Sequence, residues 1–225
     1  MSLVVWSILT IAIYFAIRWI FLKTRQSLLH PVLWGTVALI ALIELTGHSY
    51  KDYAAETQWL VWLLGPAVVA LAVPVYKMRG LIFSNFVPLA VVVVIAVLFS
   101  VVSIDLMLFA FPLDRAVIKS LTLKSITAPV AFELSRENGG IPELTAIGVM
   151  FAGIMGAILG PWVLRISKVN DPKAIGLALG TTSHGVGTAR ALELGETHGA
   201  FASIGMSCSA MAASVICPIL LKYLI

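Results

Sequence analysis

The sequence predicts an all-α polytopic membrane protein, and three observations lead there. The chain is 60% hydrophobic and 12% charged, with a mean hydropathy of +1.02, well outside the range of soluble domains. Apolar runs long enough to cross the hydrocarbon core recur along it. Two further apolar runs are interrupted by small polar residues. Such backbone survives at membrane depth only where it is buried in protein or lines a cavity. The expected architecture is about six spanning helices plus two broken or re-entrant segments forming an inverted repeat.

In chain order, the first run, Leu3–Leu22, lacks the basic n-region and small-residue cleavage site of a signal peptide and is long enough to span, so it reads as a retained helix. Val32–Leu45 is short, Trp59–Tyr76 follows, and Phe83–Phe111 is long enough for tilt or a kink. Leu144–Leu164 and Ala200–Leu221 complete the set. Between these lie the interrupted segments Asp114–Asn138 and Asp171–Gly195. Each opens with Asp, breaks at small polar residues, and resumes as a helix containing A-x-E-L, at Ala131–Leu134 and Ala191–Leu194. Each then passes a glycine, Gly139 or Gly199, into a small-residue span with a proline near its end, Pro161 or Pro218. The pattern is an internal repeat of broken segment plus spanning helix. It divides the chain into scaffold and oligomerisation helices over residues 1–113 and a transport-type bundle over 114–225.

Loop charges set the expected orientation. Lys23 and Arg25 follow the first span and Lys77 and Arg79 the third, whereas the loop with Lys51, Asp52 and Glu56 is slightly acidic, so the N-terminus is expected outside. If Asp114–Asn138 is a re-entrant hairpin, the basic loop with Arg165, Lys168 and Lys173 falls inside; if it crosses fully, that loop falls outside. Positive-inside favours hairpins entering from opposite faces. The net charge of +4 resides in these short clusters beside apolar spans, which is a membrane pattern and not a nucleic-acid footprint. Cys208 and Cys217 share one apolar run, too far apart on one helix to bridge, and carry no redox or metal signal.

The first break reads K-S-I-T-A-P-V-A. Pro129 suits the opening of a helix, with Thr127 or Ala128 as its cap. The second break runs from Thr181 to Thr188. There Gly185 and Gly187 offer backbone conformations other residues avoid, and Ser183 or Thr188 a cap. Helix N-termini carry partial positive charge and unpaired N–H groups, so two meeting at the midplane suit a carboxylate. Ser125, Thr127, Ala128, Pro129, Thr182, Ser183, His184, Gly185, Gly187 and Thr188 are the candidate substrate-binding residues. His184 could donate to a carboxylate or carry a proton, or be a neutral, hydrogen-bonded core histidine. Arg190 either reaches the ligand or snorkels to the interface, and Lys124 either contacts substrate or anchors at the interface. Glu133 and Glu193 hold equivalent places in the repeats, where each could neutralise a basic partner and hold its hairpin. Small residues at every fourth position, Ala152, Gly156 and Gly160, then Gly205, Ser209, Ala213 and Cys217, read as packing faces. With no nucleophile–base pair, metal-ligand spacing or phosphate loop, neither an enzyme nor a cofactor or metal site is expected.

The motifs L-L-G-P-A-V-V-A-L-A-V-P-V-Y at Leu63–Tyr76, K-S-I-T-A-P-V-A at Lys124–Ala131, G-G-I-P-E-L-T-A at Gly139–Ala146 and G-L-A-L-G-T-T-S-H-G-V-G-T-A-R-A-L-E at Gly176–Glu193 closely resemble the LrgB/CidB family. That family includes YohK-type proteins and the LrgB-like half of the plant plastidal glycolate/glycerate translocator. The resemblance implies a bacterial cytoplasmic-membrane protein paired with a small LrgA/CidA-type partner. It also implies one of two functions: movement of small carboxylates such as glycolate, glycerate, lactate or pyruvate, or holin/antiholin-like control of murein hydrolase activity and lysis. Thr182 and Ala128 stand where many relatives have Ala and Thr, which bears on substrate preference. The paired breaks favour a proton- or cation-coupled carboxylate transporter, with the lysis regulator as the alternative and a partner-docking scaffold third. A homo-oligomer in the bilayer is expected, with no nucleic-acid partner.

Overall fold

The computed structural model describes residues 5–24, 31–70 and 72–224. Leu3 and Arg25 lie outside the described residues. Helix is the only regular structure among them, as α1 (Val5–Thr24), α2 (Pro31–Thr46), α3 (Tyr50–Trp62), α4 (Leu64–Ala70), α5 (Ala72–Lys77), α6 (Arg79–Ser84), α7 (Phe86–Phe109), α8 (Arg115–Thr122), α9 (Ala128–Glu137), α10 (Pro142–Ile166), α11 (Pro172–Leu194) and α12 (Glu196–Leu224). Four helices among the described residues are long and apolar enough to cross a membrane: Val5–Thr24, Phe86–Leu108, Pro142–Ile166 and Glu196–Tyr223. Leu33–Thr46 is apolar but shorter. The protein is therefore all-α and polytopic.

Two expected spans are divided. Phe83–Phe111 begins in α6 and is broken at Asn85 before α7. Trp59–Tyr76 is shared among α3, α4 and α5. Its hydropathy hides Gly65, Pro66 and Pro74; each proline falls in the first turn of a new helix, where its missing N–H costs nothing. The acidic loop is likewise helical: Lys51, Asp52 and Glu56 belong to α3, which opens with a capping box in which Ser49 and Asp52 satisfy each other's backbone N–H.

The chain forms two compact units, Met1–Val69 and Ala70–Ile225. In the first, α1 packs on α2 and α3. Polar side chains pin the α1–α3 seam: Trp59 Nε1 donates to Ser7 Oγ at 2.7 Å, and Thr10 Oγ1 lies 3.2 Å from the Tyr53 hydroxyl. In the second, α7 packs on α8 and α12, and α11 is held between α10 and α12.

Both interrupted segments are hairpins. In the first, the Ile141 N–H donates to Ser120 Oγ at 2.6 Å and Lys124 lies against Gly148, so α8 and α10 run side by side in one direction. The Thr145 hydroxyl bonds Ser135 Oγ at 2.8 Å and sits 3.1 Å from the Ser120 carbonyl. In a fully crossing segment Ser120 and Ser135 would be roughly 20 Å apart at the rise of a helix; instead one buried threonine touches both. A 3-10 turn at Leu123–Ser125 makes the tip.

In the second, α11 reverses at His184, whose φ of 48° and ψ of −126° are non-helical. Gly187 packs directly on the Leu179 backbone, and Leu179, Ala191 and Ala202 share one buried cluster. Glycines make this folding-back possible. Gly176 and Gly180 lie against the backbone of His198 and Ala202 in α12, while Gly156 and Gly160 of α10 admit Ser183 and Leu179. Rising numbers on α11 meet rising numbers on α12 and falling numbers on α10, so α10 and α12 run in opposite directions. Of the small-residue faces read in the sequence, Gly156 and Gly160 of α10 and Gly205 of α12 hold the second hairpin on two sides.

Hairpins return each segment to the face it entered from, so loop charge sets the orientation. Single cysteines in the Arg165–Lys173 loop are expected to be protected from an impermeant thiol reagent in intact cells, and those in Gly139–Pro142 to react. The reverse pattern would contradict an outward N-terminus.

Candidate functional site

The tips of the two hairpins meet. His184 is only 3% exposed, with the Ser125 backbone beside its ring and Lys124 within electrostatic reach. The Ser125 backbone acceptor lies near the ring, but neither ring nitrogen makes a hydrogen bond of good geometry. A buried imidazole without well-aligned partners gives up the hydration of its polar atoms uncompensated, and a non-glycine residue at this φ is strained as well. Both costs fall on one residue, where the two hairpin tips meet.

Lys124 is half-buried, and its Nζ donates to Ser125 Oγ at 2.9 Å. Among the described residues no carboxylate lies within ion-pair distance of it. Thr127 is the N-cap residue of α9 but makes no side-chain cap bond; its hydroxyl is buried and unpartnered. Ala128 is the first helical residue and Pro129 the second, so the amides of Ala128 and Val130 open α9 without helical acceptors. The first tip therefore carries one unneutralised ammonium, free N–H groups and an idle hydroxyl beside an imidazole without a well-aligned partner. Together these groups can receive a small anion: the cation supplies charge, and the imidazole and amides donate hydrogen bonds.

Ser183 is buried against Gly156, its hydroxyl 3.2 Å from that of Thr182. Thr188 is buried and makes only a weak 3.8 Å contact to Met206 Sδ. Thr182, Ala128 and Gly185 are exposed. The left-handed conformation expected of Gly185 or Gly187 is taken by His184. Gly185 has open space where a Cβ would stand, whereas Gly187 is required by close approach. Arg190 is not brought to the break. Its Nη1 pairs with Glu193 at 2.6 Å, three residues away, and it lines a pocket at the opposite end of the hairpin. Glu133 likewise pairs with Arg136 at 2.6 Å. Each glutamate thus neutralises a basic neighbour on its own half-helix.

Asp105 is a polar residue that motif reading passes over. It accepts a short hydrogen bond from the Thr122 hydroxyl, tying α7 to the first hairpin, while its Oδ2 is buried without a partner. A lone carboxylate within an otherwise apolar run is the signal that could have found it.

Comparison with known proteins gives a consistent picture. The LrgB-like family model matches residues 10–223. Holin-like protein CidB of Staphylococcus aureus (strain N315) is 35% identical over 214 residues, covering 95% of this chain and 93% of that protein. Holin-like protein CidB of Staphylococcus epidermidis (strain ATCC 12228) is 36% identical with the same coverage. Uncharacterized protein YxaC of Bacillus subtilis (strain 168) is 36% identical over 212 residues, covering 94% of this chain and 92% of that protein. No solved structure matches.

Proposed function

The chain belongs to the LrgB-like family, and from that premise we propose that it is a holin-like protein of the bacterial cytoplasmic membrane that acts by moving a small carboxylate. The names of the staphylococcal relatives support the holin-like part. In that role the protein works with a small LrgA/CidA-type membrane partner and influences murein hydrolase activity and lysis. One observation carries the carboxylate part: a strained, buried His184 whose ring nitrogens make no well-aligned hydrogen bond, beside an unneutralised Lys124. A pore-former with no bound solute has no use for such a site, since buried polar groups cost about 1–3 kcal/mol each when unpaired.

In this reading the carboxylate of a glycolate- or lactate-like solute lies between the tips. Lys124 compensates its charge, His184 donates one N–H, and the first amides of α9 donate from the other side. Ser125, Thr127, Ser183 and Thr188 border the space. The oppositely running α10 and α12, each preceded by a hairpin, support an inverted repeat with the site near the midplane, an arrangement suited to alternating access. Residues 1–113 then serve as scaffold and oligomerisation surface, and residues 114–225 as the moving bundle. Asp105 stands apart from the anion as a carboxylate able to take a coupling proton or cation.

Uptake of radiolabelled glycolate and lactate into proteoliposomes, with and without the small partner and with an imposed pH gradient, tests the proposal. Saturable uptake of carboxylates with retention of neutral solutes of the same size is expected. Unsaturable release of charged and neutral solutes alike would leave a holin-like pore without a carboxylate site.

A further inference from the structure

At the loop end of the second hairpin, well away from His184, lies a pocket of about 540 Å³ lined by Pro161, Trp162, Arg165, Asn170, Arg190 and His198, among others. Its walls are fixed by backbone hydrogen bonds. Helix α10 ends with Lys168 in the left-handed region at φ 58°, and bonds run from the Val169 N–H to the Leu164 carbonyl at 2.9 Å and from the Lys168 N–H to the Arg165 carbonyl at 3.1 Å. This double closure is a Schellman ending. The Asp171 carboxylate then accepts from the Lys173 N–H at 2.8 Å and starts α11 directly. The loop between the two helices is held short and closed.

Two guanidinium groups and an imidazole border the pocket. Arg165 has no carboxylate within ion-pair distance among the described residues. Arg190 spends one nitrogen on Glu193, while its Nε is buried without a partner. The outer wall is apolar and faces outward: Trp162 is 62% exposed, with Leu159, Val163 and Ile166 exposed around it. On a helix long and apolar enough to span, that surface faces hydrocarbon and its tryptophan marks the headgroup level.

We propose that this pocket holds the phosphate headgroup of an anionic membrane phospholipid, whose acyl chains lie along Trp162 and its apolar neighbours. Guanidinium groups match phosphate oxygens in bidentate geometry, and basic pockets between spanning helices suit anionic headgroups. A small free anion would leave the apolar wall unused. The site is independent of the carboxylate reading.

Native mass spectrometry of the protein in neutral detergent, incubated with phosphatidylglycerol or phosphatidylcholine, tests this. Preferential retention of phosphatidylglycerol is expected, weakened about tenfold by Arg165→Gln, as for loss of one charge-assisted hydrogen bond. Glu193→Gln releases Arg190 from its ion pair and is expected to strengthen retention. Lys222→Gln, which removes a basic group elsewhere, is expected to leave retention unchanged. Folded Arg165→Gln that retains phosphatidylglycerol like the parent would overturn the proposal. So would competition by glycerol phosphate at the same concentration as the lipid, which would make the ligand a free phosphate. If Arg165→Gln fails to fold, unchanged retention by Glu193→Gln overturns it instead.

Discussion

Valine in place of Gly187 is expected to abolish the folded second hairpin. A Cβ at this position would overlap the carbonyl oxygen of Leu179 and stand 2.6 Å from the Ser183 Cβ. The obstruction is mainly backbone and cannot swing aside as the end of a flexible side chain could. Overpacking a tight interior typically costs 1–3 kcal/mol, and two further methyl groups on a β-branched residue place this change at about 3 kcal/mol or more. Gly185→Ala is the matched control, because the space around Gly185 is open. Thermal melting followed by circular dichroism should show the valine variant unfolded or strongly destabilised and the alanine variant close to the parent. Equal behaviour of the two would mean that the hairpin does not close at Gly187.

His184→Gln is expected to weaken carboxylate binding by about 1–3 kcal/mol, the range for losing a buried or charge-assisted hydrogen bond, which is roughly five- to 150-fold in Kd. A companion variant separates binding from packing. His184→Gly removes the Cβ that makes φ 48° unfavourable, so the strain of a non-glycine residue there, of order 1 kcal/mol or more, is relieved. Set against the cavity left by the buried ring, that relief should keep the melting temperature of the glycine variant near the parent's while carboxylate binding is lost. A histidine kept only for packing gives the other pattern, with stability and binding falling together.

Much of this arrangement was legible in the sequence, and the exceptions have physical reasons. The two interruptions stood out because Lys124–Pro129 and Thr181–Thr188 put polar residues, glycines and a proline into otherwise apolar runs, where backbone must be satisfied internally. Hairpins were legible only indirectly, through the basic Arg165–Lys173 loop and the positive-inside rule; the contacts of Thr145 with both Ser120 and Ser135 are long-range and leave no local trace. Within the Thr181–Thr188 break the unusual backbone conformation falls on His184 and not on a glycine, although a left-handed φ normally signals glycine. Here the glycines are used for close approach, at Gly176, Gly180 and Gly187, and the strained conformation falls on His184. Trp59–Tyr76 read as one span because hydropathy averages over Gly65, Pro66 and Pro74. The meeting of Lys124 with His184 joins residues far apart in the chain, and no periodicity reports it. Arg190 looked close to the break along the helix, yet its ion pair with Glu193 and the pocket it lines lie on the side away from it.

The central claim is that His184 donates to the carboxylate of a bound solute. Solid-state NMR on reconstituted protein with nitrogen-15 histidine and carbon-13 carboxyl-labelled glycolate reads that contact as a distance. A nitrogen–carboxyl contact within hydrogen-bonding range, absent in His184→Gln, is the expected result. Bound glycolate whose carboxyl carbon shows no contact with the His184 ring would contradict it.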